Sequence, residues 1–169
     1  MRKLGWFFIV SVALSFLGCL DLESFPNEPQ ITFKSFNIAA DGNGAALQIS
    51  FTDGDGNFGL NQEDTAGVFA DCLTRYNVFC DYYEKQNGQW VKVSLDPCLD
   101  PNIIPFYYRA PVAVPEGQYK AQKGIITLDI KPIYYLPGNF DTCKFKIHVM
   151  DRTLNKSNEI ETTEFYKPQ

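Results

Sequence analysis

Apolar side chains along this chain recur at every second position rather than every third or fourth. Leu47, Ile49 and Phe51 alternate with Gln48, Ser50 and Thr52. Ile126, Leu128 and Ile130 alternate with Thr127, Asp129 and Lys131, and Phe145, Ile147 and Val149 with Lys144, Lys146 and His148. A period of two buries one face of a strand and leaves the other wet, the pattern of antiparallel sheets. No window sustains a helical stripe. Between Ile31 and Ile38 the phase changes from Phe33 to Phe36, which predicts a β-bulge.

The stretch DYYEKQNGQWVKV carries the sharpest turn signal, because Asn87-Gly88 is the preferred pair for a two-residue type I′ hairpin. That turn sets Lys85 opposite Trp90, Tyr83 opposite Lys92, Tyr82 opposite Val93 and Cys80 opposite Leu95. One face then holds Cys80, Tyr82, Val91 and Val93, with Glu84 at its tip. The other holds Tyr83, Lys85, Trp90 and Lys92, a cluster suited to cross-strand and cation–π packing rather than to a sugar platform. A last hairpin turns through Asp151 to Asn158. The proline-rich run PNIIPFYYRAPVAVPEGQ belongs on a sheet edge, where a missing N–H costs little. The count of about seven strands predicts an all-β fold, an immunoglobulin-like antiparallel β-sandwich.

The chain has 169 residues, enough for one domain. Its start, MRKLGWFFIVSVALSFLGC, pairs a basic Arg2-Lys3 with an apolar run too short for a comfortable membrane span, and reads as a secretory signal. Leu14-Ser15-Phe16-Leu17-Gly18-Cys19 resembles the bacterial lipobox, with Phe16 bulkier than the usual small residue. The resemblance implies a diacylglycerol thioether on Cys19, cleavage after Gly18 and acylation of the new amine. Two or more acyl chains hold a protein firmly where one holds it marginally. The expected organisation is a lipoprotein signal peptide over 1–18, an acidic lipid-anchored tether over 19–29 and the sandwich over 30–169. Loss of Arg2 and Lys3 lowers the basic count from 15 to 13 against 20 acidic residues, a net charge of −7. Such an acidic body argues against nucleic acid and against anionic lipid, and leaves membrane attachment to the lipid.

With Cys19 lipidated, Cys72, Cys80, Cys98 and Cys143 remain, an even number in an exported chain. Two disulfides are expected, in one of three pairings. Zinc competes poorly, since no CxxC pair exists and the single histidine lies elsewhere. Parity places Cys80 and Cys143 on apolar faces, so the expected bridges are Cys80–Cys143 and Cys72–Cys98, with local Cys72–Cys80 pairing the alternative.

Candidate chemistry concentrates in FTDGDGNFGL. Asp53, Asp55 and Asn57 recur at alternate positions as at the start of a calcium loop, and Glu63 and Asp64 follow closely. An EF-hand needs glycine where Phe58 stands, so the other reading is an Asx-rich turn leaving a strand. Parallel directions for the strands ending at Thr52 and Met150 would bring Asp151 to the same pole, beside the incoming tether. Calcium held by Asp53, Asp55, Asn57, Asp64 and Asp151 is the one candidate cofactor, set against the plain Asx turn that needs none. His148 points outward beside Lys144 and Lys146 and is expected to be solvated. No nucleophile–histidine pair and no phosphate loop is evident, which argues against an enzyme.

The order of lipobox, acidic tether, DGDGNFGL, YYEKQNGQW, YRAPVAVPEGQYKAQKG and DRTLNKSN resembles a group of lipoproteins of the Bacteroidota. The resemblance implies outer-membrane anchoring and an immunoglobulin-like sandwich, with no particular activity. Acidic residues soon after the lipidated cysteine, here Asp21 and Glu23, imply display at the cell surface. The expected function is a lipid-anchored envelope module with a binding or assembly role. Its partners are expected to be the membrane, through Cys19, and another envelope protein or a glycan. The alternative is a carbohydrate-binding or carbohydrate-processing envelope protein.

Overall fold

The computed structural model describes residues 24–112, 120–135 and 140–167. The signal segment and Cys19 lie outside the described residues. Among the described residues nine strands follow in chain order: β1 (Gln30–Ile38), β2 (Ala45–Asp53), β3 (Val78–Gln86), β4 (Gln89–Lys92), β5 (Tyr107–Tyr108), β6 (Gln122–Ile130), β7 (Thr142–Val149), β8 (Ile160–Glu161) and β9 (Phe165–Tyr166). All described pairings are antiparallel. One sheet has the order β1-β2-β6. In the other, β4 and β5 share one side of β3, β7 lies on the opposite side, and β8 and β9 pair with β7.

The two sheets bury their period-two faces against each other. Leu47, Ile49, Ile126, Leu128 and Ile130 from the first sheet share one apolar cluster with Val78, Cys80, Tyr82, Phe145, Ile147 and Val149 from the second. Phe36 bridges them, edge-on to Phe145 and 5.5 Å from Phe165 between ring centroids. The expected bulge is present, for the β1–β2 register shifts between Phe33 and Ser35 and so returns Phe36 to the core. The all-β sandwich expected from the alternation is the observed architecture. The nine strands exceed the expected seven because β5, β8 and β9 are two-residue pairings.

The Asn-Gly turn forms as its chemistry requires, with positive φ at both residues (51° at Asn87, 80° at Gly88). Lys85 faces Trp90 and Tyr83 faces Lys92, and Val93 N–H still donates to the Tyr82 carbonyl at 3.0 Å. The pairing ends there. Cys80 N–H donates to Phe106, not to the Leu95 segment, because the proline-rich run docks as β5 along that part of β3. On the outer face, Lys85 and Lys144 cover Trp90 at 5.3 and 4.6 Å, so the ring is packed under cations.

One expected disulfide forms and one does not. Cys72 is bridged to Cys98, with Cα atoms 5.6 Å apart. Cys80 and Cys143 are buried free thiols, which corrects the expected Cys80–Cys143 bridge. Their parity is right, but register separates them: Cys80 lies opposite Ile147, while Cys143 lies opposite Glu84. Four residues of strand are roughly 13 Å, well beyond the roughly 7 Å that a bridge tolerates. Cys143 instead lies with its sulfur 2.8 Å from the Tyr82 hydroxyl.

Candidate metal centre

Strand phase delivers two carboxylates to one end of the sandwich. Ala45, Leu47, Ile49 and Phe51 face the core along β2, and Asp53, two residues further, continues that face fully buried. Cys143, Phe145, Ile147 and Val149 do the same along β7, and Asp151, two residues further, is also buried. Asp55 approaches from the loop after β2. One carboxylate oxygen from each of Asp53, Asp55 and Asp151 lies within 4.8 Å of the others.

Local hydrogen bonds aim these groups. Asp53 Oδ2 accepts the Phe58 N–H at 2.9 Å, and Asn57 Nδ2 donates to Asp55 Oδ2 at 2.9 Å. The β7–β8 loop wraps around Asp151: Oδ1 accepts from the backbone N–H groups of Thr153 and Asn155 at 2.8 Å each, and Oδ2 accepts from Asn155 Nδ2 at 2.8 Å. Arg152 N–H reaches the Asn57 carbonyl at 3.4 Å, tying the two loops together. Phe58 folds inward beneath them, its ring 4.7 Å from that of Phe51.

Three oxygens are left over. Asp53 Oδ1, Asp55 Oδ1 and Asn57 Oδ1 are shielded from solvent without a hydrogen-bond partner among the described residues. None of the three clustered carboxylates makes an ion pair with a described residue. Like charges at that separation cost about 3 kcal/mol per pair at an effective dielectric of about 20. Burial, and then the neighbouring charges of Asp55 and Asp151, push the Asp53 carboxyl up to about 6, against the opposing amides of Phe58 and Asn57. The donor set is all oxygen, three carboxylates and one amide carbonyl, which suits a hard cation with flexible coordination and gives zinc or copper no nitrogen or sulfur.

Asp64 is not part of this cluster. Arg152 grips it through both nitrogens, Nη1 to Oδ2 at 2.5 Å and Nη2 to Oδ1 at 2.9 Å. That guanidinium, helped by the Asn61 N–H, holds the Asp64 carboxyl down at about 2. Glu63 is exposed. The signal separating these acids was available in the sequence, since Asp53 and Asp151 continue inward-facing alternations. Arg152, next to Asp151, is the guanidinium that claims Asp64.

His148 is outward by parity, as expected, but it is not freely solvated. Its ring stacks on Phe79 at 4.8 Å and 6°, and Nδ1 is shielded with no partner among the described residues. Burial, with the nearby Lys156 charge, lowers its pKa to about 4.

No family model matches this chain, and no curated protein or solved structure matches it either.

Proposed function

We propose that this protein is a lipid-anchored β-sandwich module of the cell envelope, non-catalytic, with a binding or assembly role, and that calcium holds together its anchored end. Asp53, Asp55, Asp151 and the Asn57 amide oxygen would hold the ion, with backbone carbonyls or water completing the six to eight oxygens calcium takes. The observation that carries this reading is the fully buried Asp53, whose Oδ1 has no described partner beside two further carboxylates. Leaving such oxygens unpaired is costly, and a divalent cation satisfies them all at once. Because Asp53 and Asp151 are buried, the ion serves the fold rather than presenting an open face to a ligand.

Support for the immunoglobulin-like type comes from strand order. The first, second and sixth strands form one sheet, and the third and seventh lie at the centre of the other. Support for the anchor comes from Cys19 and the apolar run before it.

Thermal unfolding of the protein in millimolar calcium and in chelator tests the ion. Binding to the folded state alone raises stability by RT ln(1 + [L]/Kd), about 2.7 kcal/mol at 100 times Kd. Superimposable curves overturn the site and leave an Asx turn. Lipid labelling that persists in Cys19→Ser overturns the anchor.

A further inference from the structure

The cation loop and the chain arriving from Cys19 meet at a single residue. Gly54 lies between Asp53 and Asp55, and its N–H donates to the Pro26 carbonyl at 2.8 Å. The contact is backbone on backbone: a Cβ on Gly54 would collide with the Phe25 carbonyl oxygen and come within 2.6 Å of that of Pro26. Phe25 is half-buried and Pro29 buried. Further along, Ile31 N–H donates to Asn158 Oδ1 at 2.8 Å, and Asn158 Nδ2 donates back to the Ile31 carbonyl at 2.9 Å. Residues 25–29, expected as free tether, are therefore docked against the domain. The Gly54 N–H that holds them is oriented by the same turn that aims the two carboxylates.

We propose that calcium at the Asp53, Asp55 and Asp151 cluster locks the Phe25–Pro26 strap onto Gly54, so that calcium decides whether residues 25–29 lie docked on the domain or are released from it. This rests on the calcium and lipid readings above. Without the ion, the buried carboxylates repel one another through the loop that must hold the Gly54 N–H in line. With the ion, Asp53 and Asp55 are fixed on either side of Gly54. Five residues, 20–24, separate Cys19 from the docked strap, and ten, 20–29, separate it from β1 once the strap lifts. Calcium thus keeps residues 25–29 part of the domain, and its loss returns them to the chain that leads back towards Cys19.

Coupling of this kind is reciprocal: the factor by which calcium tightens the strap equals the factor by which the docked strap tightens calcium. The test uses the full lipidated chain in detergent micelles, with calcium as the only probe. Hydrogen exchange is followed at the Gly54 amide and across residues 24–31. Calcium is expected to slow exchange there about tenfold. Gly54→Ala, which ejects the strap but keeps every carboxylate, is expected to raise the calcium Kd by a similar factor. Asp151→Asn, which leaves the strap contacts intact, is expected to abolish the calcium effect on strap exchange. If calcium protects Asp55–Phe58 and Asp151–Asn155 while the strap and the Gly54→Ala affinity are unchanged, the coupling is overturned and the ion site stands. If calcium changes neither melting nor exchange anywhere, the calcium reading itself fails.

Discussion

Glu84 and Asp53 occupy equivalent places at opposite ends of the sandwich. Each lies two residues beyond the last inward-facing ring of its strand, Tyr82 in β3 and Phe51 in β2, and each is buried. Glu84 meets Lys167 Nζ at 2.6 Å, with both side chains almost wholly covered. That lysine is held in place by its own N–H on the Asp141 carbonyl at 2.9 Å. Asp53 instead meets two more acids. A buried carboxylate requires a compensating positive charge. The end bearing Glu84 supplies one from the chain, and the end bearing Asp53 gathers negative charge around oxygens with no described partner. That difference is the ground for the calcium reading proposed above.

The contrast breaks most visibly if the internal pair is disrupted. Lys167→Ala leaves Glu84 uncompensated and should cost about 3–5 kcal/mol, by the same amount with calcium as with chelator. Replacing both partners with apolar residues, Glu84→Leu with Lys167→Met, should recover most of that loss. A calcium-dependent cost for Lys167→Ala in denaturant titration would show that the two ends are not independent.

A smaller effect with a more telling sign is expected at the other end. Asn at position 53 can still accept the Phe58 N–H, so Asp53→Asn removes charge with little loss of hydrogen bonding. In chelator it relieves repulsion and should stabilise by about 3 kcal/mol. In saturating calcium it removes a ligand and should destabilise by about 2 kcal/mol. The same sign in both buffers defeats the contrast.

The most gradual expected effect, and the smallest over any one pH unit, is a pH dependence. Raising the Asp53 pKa from 3.8 to about 6 means that the folded state binds its proton more tightly than the unfolded state. Its contribution to stability is therefore complete below about 4 and is lost as pH rises through 6. His148, lowered from 6.5 to about 4, acts in the opposite sense, and its contribution is lost as pH falls from 6.5 towards 4. The difference between wild type and Asp53→Asn cancels the histidine. In chelator that difference should favour wild type progressively as pH drops from 6 to 4, and a flat difference would place the Asp53 carboxyl at its ordinary value.

Local rules account for most of the fold that the sequence made legible. Alternation located β2, β6 and β7, the phase change in β1 located its bulge, and Asn87-Gly88 set the β3–β4 register. What escaped depended on long-range register. Nothing within β3 or β7 says that Cys80 stands opposite Ile147, so parity alone suggested a bridge that register forbids. The docking of Tyr107–Tyr108 on β3 displaced the Leu95 segment for the same reason. At the candidate metal centre the residue types were visible, but proximity in sequence drew in Asp64. Strand phase was the better guide, because it continues inward to Asp53, Asp151 and Glu84 alike. Lys167, far along the chain, carries no local sign of its role.

The two thiols left inside the sandwich have a consequence for how the chain matures. Burial raises the pKa of both Cys80 and Cys143, so little thiolate is present to attack an oxidant or another cysteine. On the exported reading the new chain meets an oxidising compartment with four thiols and three ways to pair them. Only closure of the two sheets withdraws Cys80 and Cys143 from that competition and leaves Cys72 and Cys98 to find each other. The hydrophobic interior acts as a protecting group: once the sheets have closed, Cys72 and Cys98 are the pair left to oxidise among the described cysteines.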